Sequence, residues 1–207
     1  MIKNLVFDFG GVIVDLDKDK AIRAFRNLGM ENIEDYIGLY AQKGIFLEVE
    51  DGQIDDLTFC KKISEIVGRK LSYEEVKQAW LGFFAGMDEF KLDYIEKLRS
   101  KYNLYILSNT NPFVQSWAQS TDFSSKGRSL RDYFDKIYTS YEIGYIKPAP
   151  EIFEFMIKDA NLNPAETLFI DDGESNIKIA EELGFKTYLA ADGEDWRNEI
   201  TKLLGGI

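Results

Sequence analysis

The feature that most constrains the fold of this 207-residue chain is a series of short, continuous runs of apolar residues. A run of this kind is typical of a β-strand that is buried on both faces, as the strands of a parallel sheet are. Amphipathic helical patterns separate the later runs, around residues 87–102, 150–160 and 175–184. Strands that alternate with helices predict an α/β fold with a doubly wound, mainly parallel sheet and right-handed crossovers. The predicted strands are residues 5–7, 104–107, 137–138, 168–170 and 187–189.

The stretch from residue 17 to residue 86 has a different pattern, because it contains no convincing strand run. Helical periodicity appears instead, and the expected helices lie around residues 18–28, 33–40, 55–67 and 73–84. We therefore predict a helical cap over residues 17–86, inserted into an α/β core formed by residues 1–16 and 87–207. Gly44 interrupts the helical pattern within residues 40–46, which form either a loop over the active site or an ordinary surface loop.

The residue types that the chain lacks exclude several kinds of catalysis. It contains no histidine, which removes Ser-His-Asp and Cys-His triads, histidine-ligated zinc and histidine general bases. Its single cysteine, Cys60, allows no intrachain disulfide and no thiolate cluster. A net charge of -11 argues against nucleic acids and anionic membranes as partners. We expect a cytoplasmic protein, because no window of the sequence reaches the roughly 18 apolar residues of a membrane helix.

Polar and charged residues follow the predicted strands at the end where an open α/β sheet binds its ligands. Asp8 closes the first run, Ser-Asn-Thr at 108–110 closes the second, Asp-Asp at 171–172 closes the fourth, and Lys147 comes after the third. Such a group suits phosphoryl transfer to a carboxylate, with Mg²⁺ held by the other acids. Each residue also has a structural interpretation, the acids as turn or N-cap residues, the serine as a helix cap and the lysine as a solvated charge.

Four segments resemble, in chain order, the four motifs of the haloacid dehalogenase-like (HAD) hydrolase superfamily, and they are residues 7–12, 107–110, 147–148 and 171–177. The helical insertion after the first motif is similar to the small cap of one major subgroup. Within the superfamily, the first two motifs together resemble the branch that contains the glucose-1-phosphate phosphatases. The resemblance implies a Rossmann-like core and a Mg²⁺-dependent phosphatase, which would hydrolyse a small phosphomonoester of the sugar phosphate type through an aspartyl-phosphate.

The resemblance also implies a role for each matching residue. Asp8 would be the nucleophile of the reaction. The phosphoryl oxygens would bind to Ser108, the backbone amide of Asn109 and Lys147. The Mg²⁺ ligands would be Asp8, the Gly10 backbone carbonyl, Asp172 and, directly or through water, Asp171. As a partner we expect a small phosphorylated substrate, and we expect the chain itself to be a monomer or a weak dimer.

Three asparagines near these motifs have two interpretations each. Asn176 lies about one helical turn after Asp172, so it is either a surface residue or a support for Lys147 or the metal. Asn109 and Asn111 are either rim residues of the site or ordinary loop residues.

One position departs from the superfamily pattern. The phosphatases of the superfamily usually carry a second Asp two residues after the nucleophile, as general acid and base, and this chain has Gly10 there. Loss of a proton donor favours leaving groups that are weak bases, so we expect a sugar 1-phosphate or an aryl phosphate to react faster than a sugar 6-phosphate. Asp15 and Asp17 follow closely in the sequence, and we interpret both as solvated hinge carboxylates rather than as a replacement acid.

Two other functions remain open on the sequence alone. A carbon–halogen hydrolase would use Asp8 to attack carbon without Mg²⁺, and the intact acidic pair at residues 171–172 argues against it. A non-catalytic module that binds a phosphorylated ligand or a protein would explain Gly10. It would not explain why the nucleophile, the lysine and the metal-binding acids are all present.

Overall fold

A computed structural model describes residues 1–38 and 42–206 of the chain. Its strands are β1 (Asn4–Phe7), β2 (Asp15–Leu16), β3 (Phe84–Gly86), β4 (Asn103–Ser108), β5 (Lys136–Thr139), β6 (Thr167–Asp171) and β7 (Lys186–Leu189). Its α-helices are α1 (Lys18–Asn27), α2 (Ile45–Glu50), α3 (Asp56–Val67), α4 (Tyr73–Leu81), α5 (Glu89–Leu98), α6 (Pro112–Ala118), α7 (Ser140–Ile143), α8 (Pro150–Asp159), α9 (Glu174–Glu182) and α10 (Arg197–Leu203). Short 3-10 turns lie at Ile33–Asp35, Thr121–Phe123, Leu130–Asp132 and Pro164–Glu166. Among the described helices, none has the length and apolar character needed to cross a membrane.

Five parallel strands form the central sheet, in the order β5-β4-β1-β6-β7. β1 lies in the middle, where Phe7 is in register with Ile106 of β4 on one side and with Ile170 of β6 on the other. Every strand that the apolar runs predict is present in this sheet. The predicted α/β class with a parallel, doubly wound sheet is therefore confirmed.

The side chains of β1 alternate between two apolar layers, which is why the strand is a continuous apolar run in the sequence. Leu5 and Phe7 belong to the layer that includes side chains of α5 and α10. Val6 belongs to the opposite layer, with side chains of α8 and α9. Helices on both faces leave the ends of the strands as the place where loops can form a site.

The segment predicted to be the cap, residues 17–86, contains the helices α1 to α4, and several of their ends follow local sequence signals. α3 begins after Asp55, whose side chain accepts a hydrogen bond from the Thr58 N–H, and it ends at Gly68 in the left-handed conformation. Ser72 and Glu75 form a reciprocal capping box at the start of α4. These caps satisfy backbone groups that a helix terminus leaves without partners.

Two of the helix boundaries predicted for the cap were wrong. Of the helix expected around residues 33–40, the described residues 33–38 form only the 3-10 turn Ile33–Asp35, and residues 39 and 40 lie outside the described part. The chain leaves the helical path by Gly38, whose carbonyl accepts a hydrogen bond of 2.9 Å from Lys18 Nζ. α4 ends at Leu81 rather than at residue 84, because the next residues enter the strand β3. Of the segment predicted as a loop at residues 40–46, residues 40 and 41 lie outside the described part, and α2 already begins within the rest.

The two segments that connect the cap to the core pair with each other as a short antiparallel ribbon. Asp15 is in register with Gly86, and Leu16 with Phe84. The sequence did not predict β3, because a strand of three residues is too short to produce a recognisable apolar run. Lys91, which is fully buried, fixes the core side of the ribbon, with its Nζ 3.1 Å from Oδ1 of Asp15.

The cap and the core also share an aromatic cluster. Phe113 of α6 in the core packs against Phe59, Tyr73 and Trp80 of the cap, with ring centroids 5.6, 5.0 and 6.5 Å apart. Aromatic pairs at such distances stabilise a packed interface beyond the area that they bury. The cap is therefore held against the face of the core on which α6 begins.

Candidate active site

The predicted site residues meet at the carboxyl edge of the central sheet. Asp8 comes directly after β1, Ser108 is the last residue of β4, and Asp171 is the last residue of β6. Lys147 lies in the segment between α7 and α8, beyond the end of β5. Neighbouring parallel strands end at the same edge, so residues far apart in the sequence become neighbours there.

Lys147 is the central group of the site. Its Nζ lies 2.9 Å from Oδ1 of Asp8 and 2.6 Å from Oδ2 of Asp171, and its side chain is 1% exposed. Burial lowers the pKa of Lys147, but the two carboxylates outweigh that effect and hold the pKa above its usual value. The lysine therefore stays charged, and it places a fixed positive charge beside the predicted nucleophile.

The network around Asp171 leaves little freedom to its carboxylate. Oδ1 accepts hydrogen bonds of 2.8 Å from the Gly173 N–H and of 2.8 Å from Asn176 Nδ2, while Oδ2 faces Lys147. Of the two interpretations of Asn176, a surface residue or a support for Lys147 or the metal, these contacts favour the second, because Asn176 and Lys147 both bind Asp171. Asp171 thus orients the lysine and is itself oriented by the start of α9.

Three carboxylates at this edge fit a divalent cation. Asp8, Asp171 and Asp172 each offer an oxygen atom, and these atoms lie within 4.8 Å of one another. Burial, opposed by Lys147 and reinforced by the two other acids, raises the pKa of Asp8 to about 7. Burial and the neighbouring Asp171 raise the pKa of Asp172 to about 6. Carboxylate oxygens in a site that is short of positive charge are the donor set that Mg²⁺ prefers.

A glycine at position 11 allows the first loop to approach the carboxylate of Asp172. Gly11 has a φ of +76°, and a Cβ there would lie 2.2 Å from Oδ2 of Asp172. Any other residue would clash with that carboxylate and would adopt a disfavoured backbone conformation. The requirement explains why the loop after the predicted nucleophile contains this glycine.

Asn109 clamps the backbone of Lys147 with both ends of its side-chain amide. Its Oδ1 accepts a hydrogen bond of 2.7 Å from the Lys147 N–H, and its Nδ2 donates one of 2.9 Å to the Lys147 carbonyl. The loop after β4 and the loop that contains the lysine are thereby fixed to each other. The side chain of Asn109, which the sequence suggested as a rim residue of the site, is therefore hydrogen-bonded to the backbone of Lys147.

The remaining residues of the loop after β4 divide between the site and the helix that follows. Ser108 is buried at the sheet edge, and its Oγ lies 3.3 Å from the Asn109 carbonyl oxygen. Asn111 caps α6, because its Oδ1 accepts a hydrogen bond of 3.1 Å from the Val114 N–H. Its side chain also lowers the pKa of Glu50 in the cap, which places the two side chains next to each other.

The two acids considered as replacement proton donors have other partners. Asp15 pairs with Lys91 in the ribbon, and Asp17 caps α1 by accepting a hydrogen bond of 2.8 Å from the Lys20 N–H. At Gly10, a Cβ would lie 3.3 Å from the end of the Leu16 side chain. The space of the usual second Asp is therefore bordered by an apolar group of the connecting ribbon.

Sequence analysis missed Glu50, Leu16 and Lys91. Glu50 ends a helix of six residues that follows no clear amphipathic pattern. Leu16 and Lys91 depend on the pairing of β2 with β3, which brings together parts of the chain about 70 residues apart. A signal was present only for Lys91, as a charged residue within the apolar pattern of a predicted helix.

Known proteins resemble this chain over nearly its whole length. The family model described as haloacid dehalogenase-like hydrolase matches residues 2–184. The D-ribitol-5-phosphate phosphatase of Bacteroides thetaiotaomicron is 57% identical over 204 residues, which cover 99% of each chain.

Solved structures of the same family also resemble this chain over nearly its whole length. A predicted HAD-like family hydrolase from Porphyromonas gingivalis superposes with a TM-score of 0.94 at 44% identity, covering 99% of this chain and 98% of that one. A HAD family enzyme from Bacteroides thetaiotaomicron, in complex with magnesium and inorganic phosphate, has a TM-score of 0.89 at 42% identity. That match covers 96% of this chain and 99% of the other.

Proposed function

The chain belongs to the haloacid dehalogenase-like hydrolases and is a Mg²⁺-dependent phosphatase of small sugar-type phosphomonoesters, and from this premise we propose that its substrate is an acyclic polyol phosphate such as D-ribitol 5-phosphate. The name of the relative with 57% identity over 99% of both chains supports this substrate. The geometry that carries the reaction is the placement of Lys147 Nζ between Asp8 and Asp171, at 2.9 and 2.6 Å.

In the proposed reaction, a carboxylate oxygen of Asp8 attacks the phosphorus atom, and the bond from phosphorus to the alkoxide oxygen breaks. The alkoxide leaves with the electron pair and takes a proton from water. A second water then attacks the phosphorus of the aspartyl-phosphate, and the bond from phosphorus to the Asp8 oxygen breaks, which releases inorganic phosphate and restores the Asp8 carboxylate. The proton that this water loses combines with the hydroxide left by the first water. Lys147 keeps Asp8 in position through contact with Oδ1, to which the Phe9 N–H also donates a hydrogen bond of 2.6 Å.

The proposed contacts to the phosphoryl group come from the loop after β4 and from Lys147. The Ser108 hydroxyl and the Asn109 backbone amide would donate hydrogen bonds to its oxygens, and the lysine would balance their charge. Mg²⁺ would be held by Asp8, Asp172 and the Gly10 carbonyl, with Asp171 in direct or water-mediated support. When bound, the ion supplies positive charge that offsets the charge of the phosphoryl oxygens.

Because Gly10 stands where the usual proton donor would be, the rate of the proposed reaction depends on how basic the leaving group is. A polyol 5-phosphate is a primary ester, and its alkoxide is more basic than the leaving group of a sugar 1-phosphate. The missing acid therefore favours 1-phosphates, whereas the named relative favours a 5-phosphate. Direct comparison of the two substrate classes decides which effect is larger in this chain.

The alternative of carbon–halogen hydrolysis has little support. An L-2-haloacid dehalogenase superposes with a TM-score of 0.59 at 17% identity, a likeness that extends to the fold alone. Asp171 and Asp172, which a metal-independent reaction would not need as metal ligands, are both present at the sheet edge. A non-catalytic role is equally disfavoured, because the predicted nucleophile and the lysine are in contact.

The test is inorganic phosphate release from D-ribitol 5-phosphate, compared with D-ribose 5-phosphate, glucose 1-phosphate and glucose 6-phosphate. The proposal predicts the highest kcat/KM for the polyol phosphate with Mg²⁺, and no turnover with excess EDTA. A higher kcat/KM for a cyclic sugar phosphate would overturn the choice of substrate. Turnover that is equal with and without EDTA would overturn the metal-dependent reaction.

The other expectations about partners remain predictions. A net charge of -11 supports the absence of nucleic acid and anionic membrane partners. A cytoplasmic location and a monomer or weak dimer stay predictions from the sequence.

A further inference from the structure

The C-terminal end of α2 brings a cap carboxyl group to the edge of the sheet where the phosphoryl group would bind. Glu50 is the last residue of α2, and its pKa is influenced by the side chain of Asn111, three residues after Ser108, so the two side chains are neighbours. The next turn of the cap touches the core directly, because a Cβ at Gly52 would lie 2.2 Å from the carbonyl oxygen of Tyr141 in α7. Glu50 therefore lies over the carboxyl ends of β4 and β5.

Asn111 has its two side-chain functions fixed in different directions. Its Oδ1 accepts the hydrogen bond that caps α6, 3.1 Å from the Val114 N–H, and its side chain is 1% exposed. The amide nitrogen is thus the part that faces Glu50. A carboxyl group has two acceptor atoms, so a hydrogen bond from this amide would leave the second oxygen of Glu50 for another partner.

Glu50 differs from the other carboxyl groups of the site in its electrostatic surroundings. Asp8 and Asp171 both contact the ammonium group of Lys147. Burial raises the pKa of Glu50 to about 8, and the neighbours that influence it are Asn111 and Asp51, neither of which is a cation. A half-buried carboxyl group without a cationic partner lowers stability, which favours a functional role for Glu50.

The substrate must extend toward this group. Asp8, Ser108 and Lys147 surround the position of the phosphoryl group at the sheet edge, and the cap covers the same edge. The rest of a phosphomonoester therefore points at the cap, and the hydroxyl groups of a polyol chain need hydrogen-bonding partners there. A carboxyl group suits them, because it accepts from hydroxyls when ionised and can also donate when protonated.

We propose that Glu50, held by Asn111, binds the hydroxyl groups of the polyol chain and so determines the specificity for the alcohol part of the substrate. This inference rests on the proposed function, because it takes an acyclic polyol phosphate as the ligand. It assigns the cap a defined contact with substrate, apart from the groups that carry out phosphoryl transfer.

The test compares two substrates that share the phosphoryl group but differ in hydroxyl groups. D-Ribitol 5-phosphate carries a polyol chain, and p-nitrophenyl phosphate carries no hydroxyl on its leaving group. At pH 9, where a carboxyl group with a pKa of about 8 is mostly ionised, Glu50→Ala should raise KM for D-ribitol 5-phosphate by about 10-fold to 100-fold, the value of a hydrogen bond to a charged group. Its kcat/KM for p-nitrophenyl phosphate should stay within about threefold of that of the unmodified chain, since the transferred group is the same.

Glu48→Ala is the matched control, because Glu48 lies in the same helix and pairs with Lys62 of α3 instead of reaching the core. Glu48→Ala should leave KM and kcat unchanged for both substrates. Glu50→Gln keeps the size and the hydrogen-bonding capacity, so it should recover part of the loss.

The possible results separate the two proposals. A parallel loss for both substrates in Glu50→Ala, or an unchanged KM for D-ribitol 5-phosphate, would overturn the role of Glu50. Failure of the unmodified chain to hydrolyse D-ribitol 5-phosphate, while it hydrolyses p-nitrophenyl phosphate, would instead overturn the proposed substrate.

Discussion

The sheet edge and the cap present their charged groups in different ways. At the sheet edge, Lys147 contacts Asp8 and Asp171, and each partner is held in turn by backbone or asparagine groups. In the cap, burial raises the pKa of Glu50, and the neighbouring groups that influence it are the Asn111 amide and Asp51, neither of which is a cation. Charged groups that hold one another in place suit a reaction centre that acts on the phosphoryl group common to all phosphomonoesters. A carboxyl group without a cationic partner suits recognition of one particular alcohol. Changes at the sheet edge should therefore affect all substrates, and changes in the cap should affect some.

The largest effect expected from a supporting residue is that of Lys147→Ala. Loss of the ammonium group removes the charge beside Asp8 and should lower kcat by about 10²–10³-fold. The loss should be equal for D-ribitol 5-phosphate and p-nitrophenyl phosphate, because both present the same phosphoryl group. Steady-state kinetics on the two substrates measure this, with Lys136→Ala as the control, since Lys136 pairs with Asp159 near the surface. A loss confined to one substrate would remove the distinction between the sheet edge and the cap.

The next effect in size is that of Asn109→Ala. Without the amide clamp the Lys147 backbone is released, and a displacement of the ammonium group of the order of 1 Å should lower kcat by about 10–100-fold with little change in KM. Asn103→Ala is the control, because Asn103 lies at the other end of β4 and donates to Asn4 instead.

A double-mutant cycle sharpens this prediction. If Asn109 acts through Lys147, the double variant should be no slower than Lys147→Ala alone. Additive losses would show that Asn109 contributes by another route, such as direct contact with substrate.

A smaller effect is expected from Gly10→Asp. The new carboxyl group restores the usual proton donor, so kcat/KM should rise several-fold more for glucose 6-phosphate than for glucose 1-phosphate, within the roughly 10²–10⁴-fold of general acid catalysis. The Leu16 side chain must yield slightly, since it lies 3.3 Å from the new Cβ. Gly10→Ala tests this steric effect separately and should change both substrates alike. Equal gains for both phosphates would mean that Gly10 does not limit protonation of the leaving group.

The smallest effect is a change in thermal stability on metal binding. The raised pKa values of Asp8, about 7, and Asp172, about 6, mean that both groups hold protons more readily in the folded chain than in the unfolded one. Mg²⁺ must displace those protons, so the increase in Tm on adding MgCl₂ should be larger at pH 8 than at pH 5.5. Asp172→Ala should lose most of this increase. An increase in Tm that is the same at both pH values would contradict the assignment of the ligands.

The sequence predicted the sheet edge well for a physical reason. Buried parallel strands produce apolar runs, and the residues at their carboxyl ends, such as Asp8, Ser108 and Asp171, must meet at one edge. The clamp by Asn109 was not predictable, because it depends on the path of a loop 38 residues away in the chain. The cap was predicted less well, since α2 is short and Glu50 acquires its surroundings only when the cap packs on α6 and α7.

The central claim is that Asp8 is the nucleophile in a site that Lys147 and the neighbouring acids hold in place. Asp8→Asn keeps the shape of the side chain but is a far poorer nucleophile. Phosphate release from D-ribitol 5-phosphate and from p-nitrophenyl phosphate should both fall by on the order of 10⁵-fold or more, with an unchanged far-UV circular dichroism spectrum. Turnover by pure, folded Asp8→Asn at a rate close to that of the unmodified chain would contradict the account.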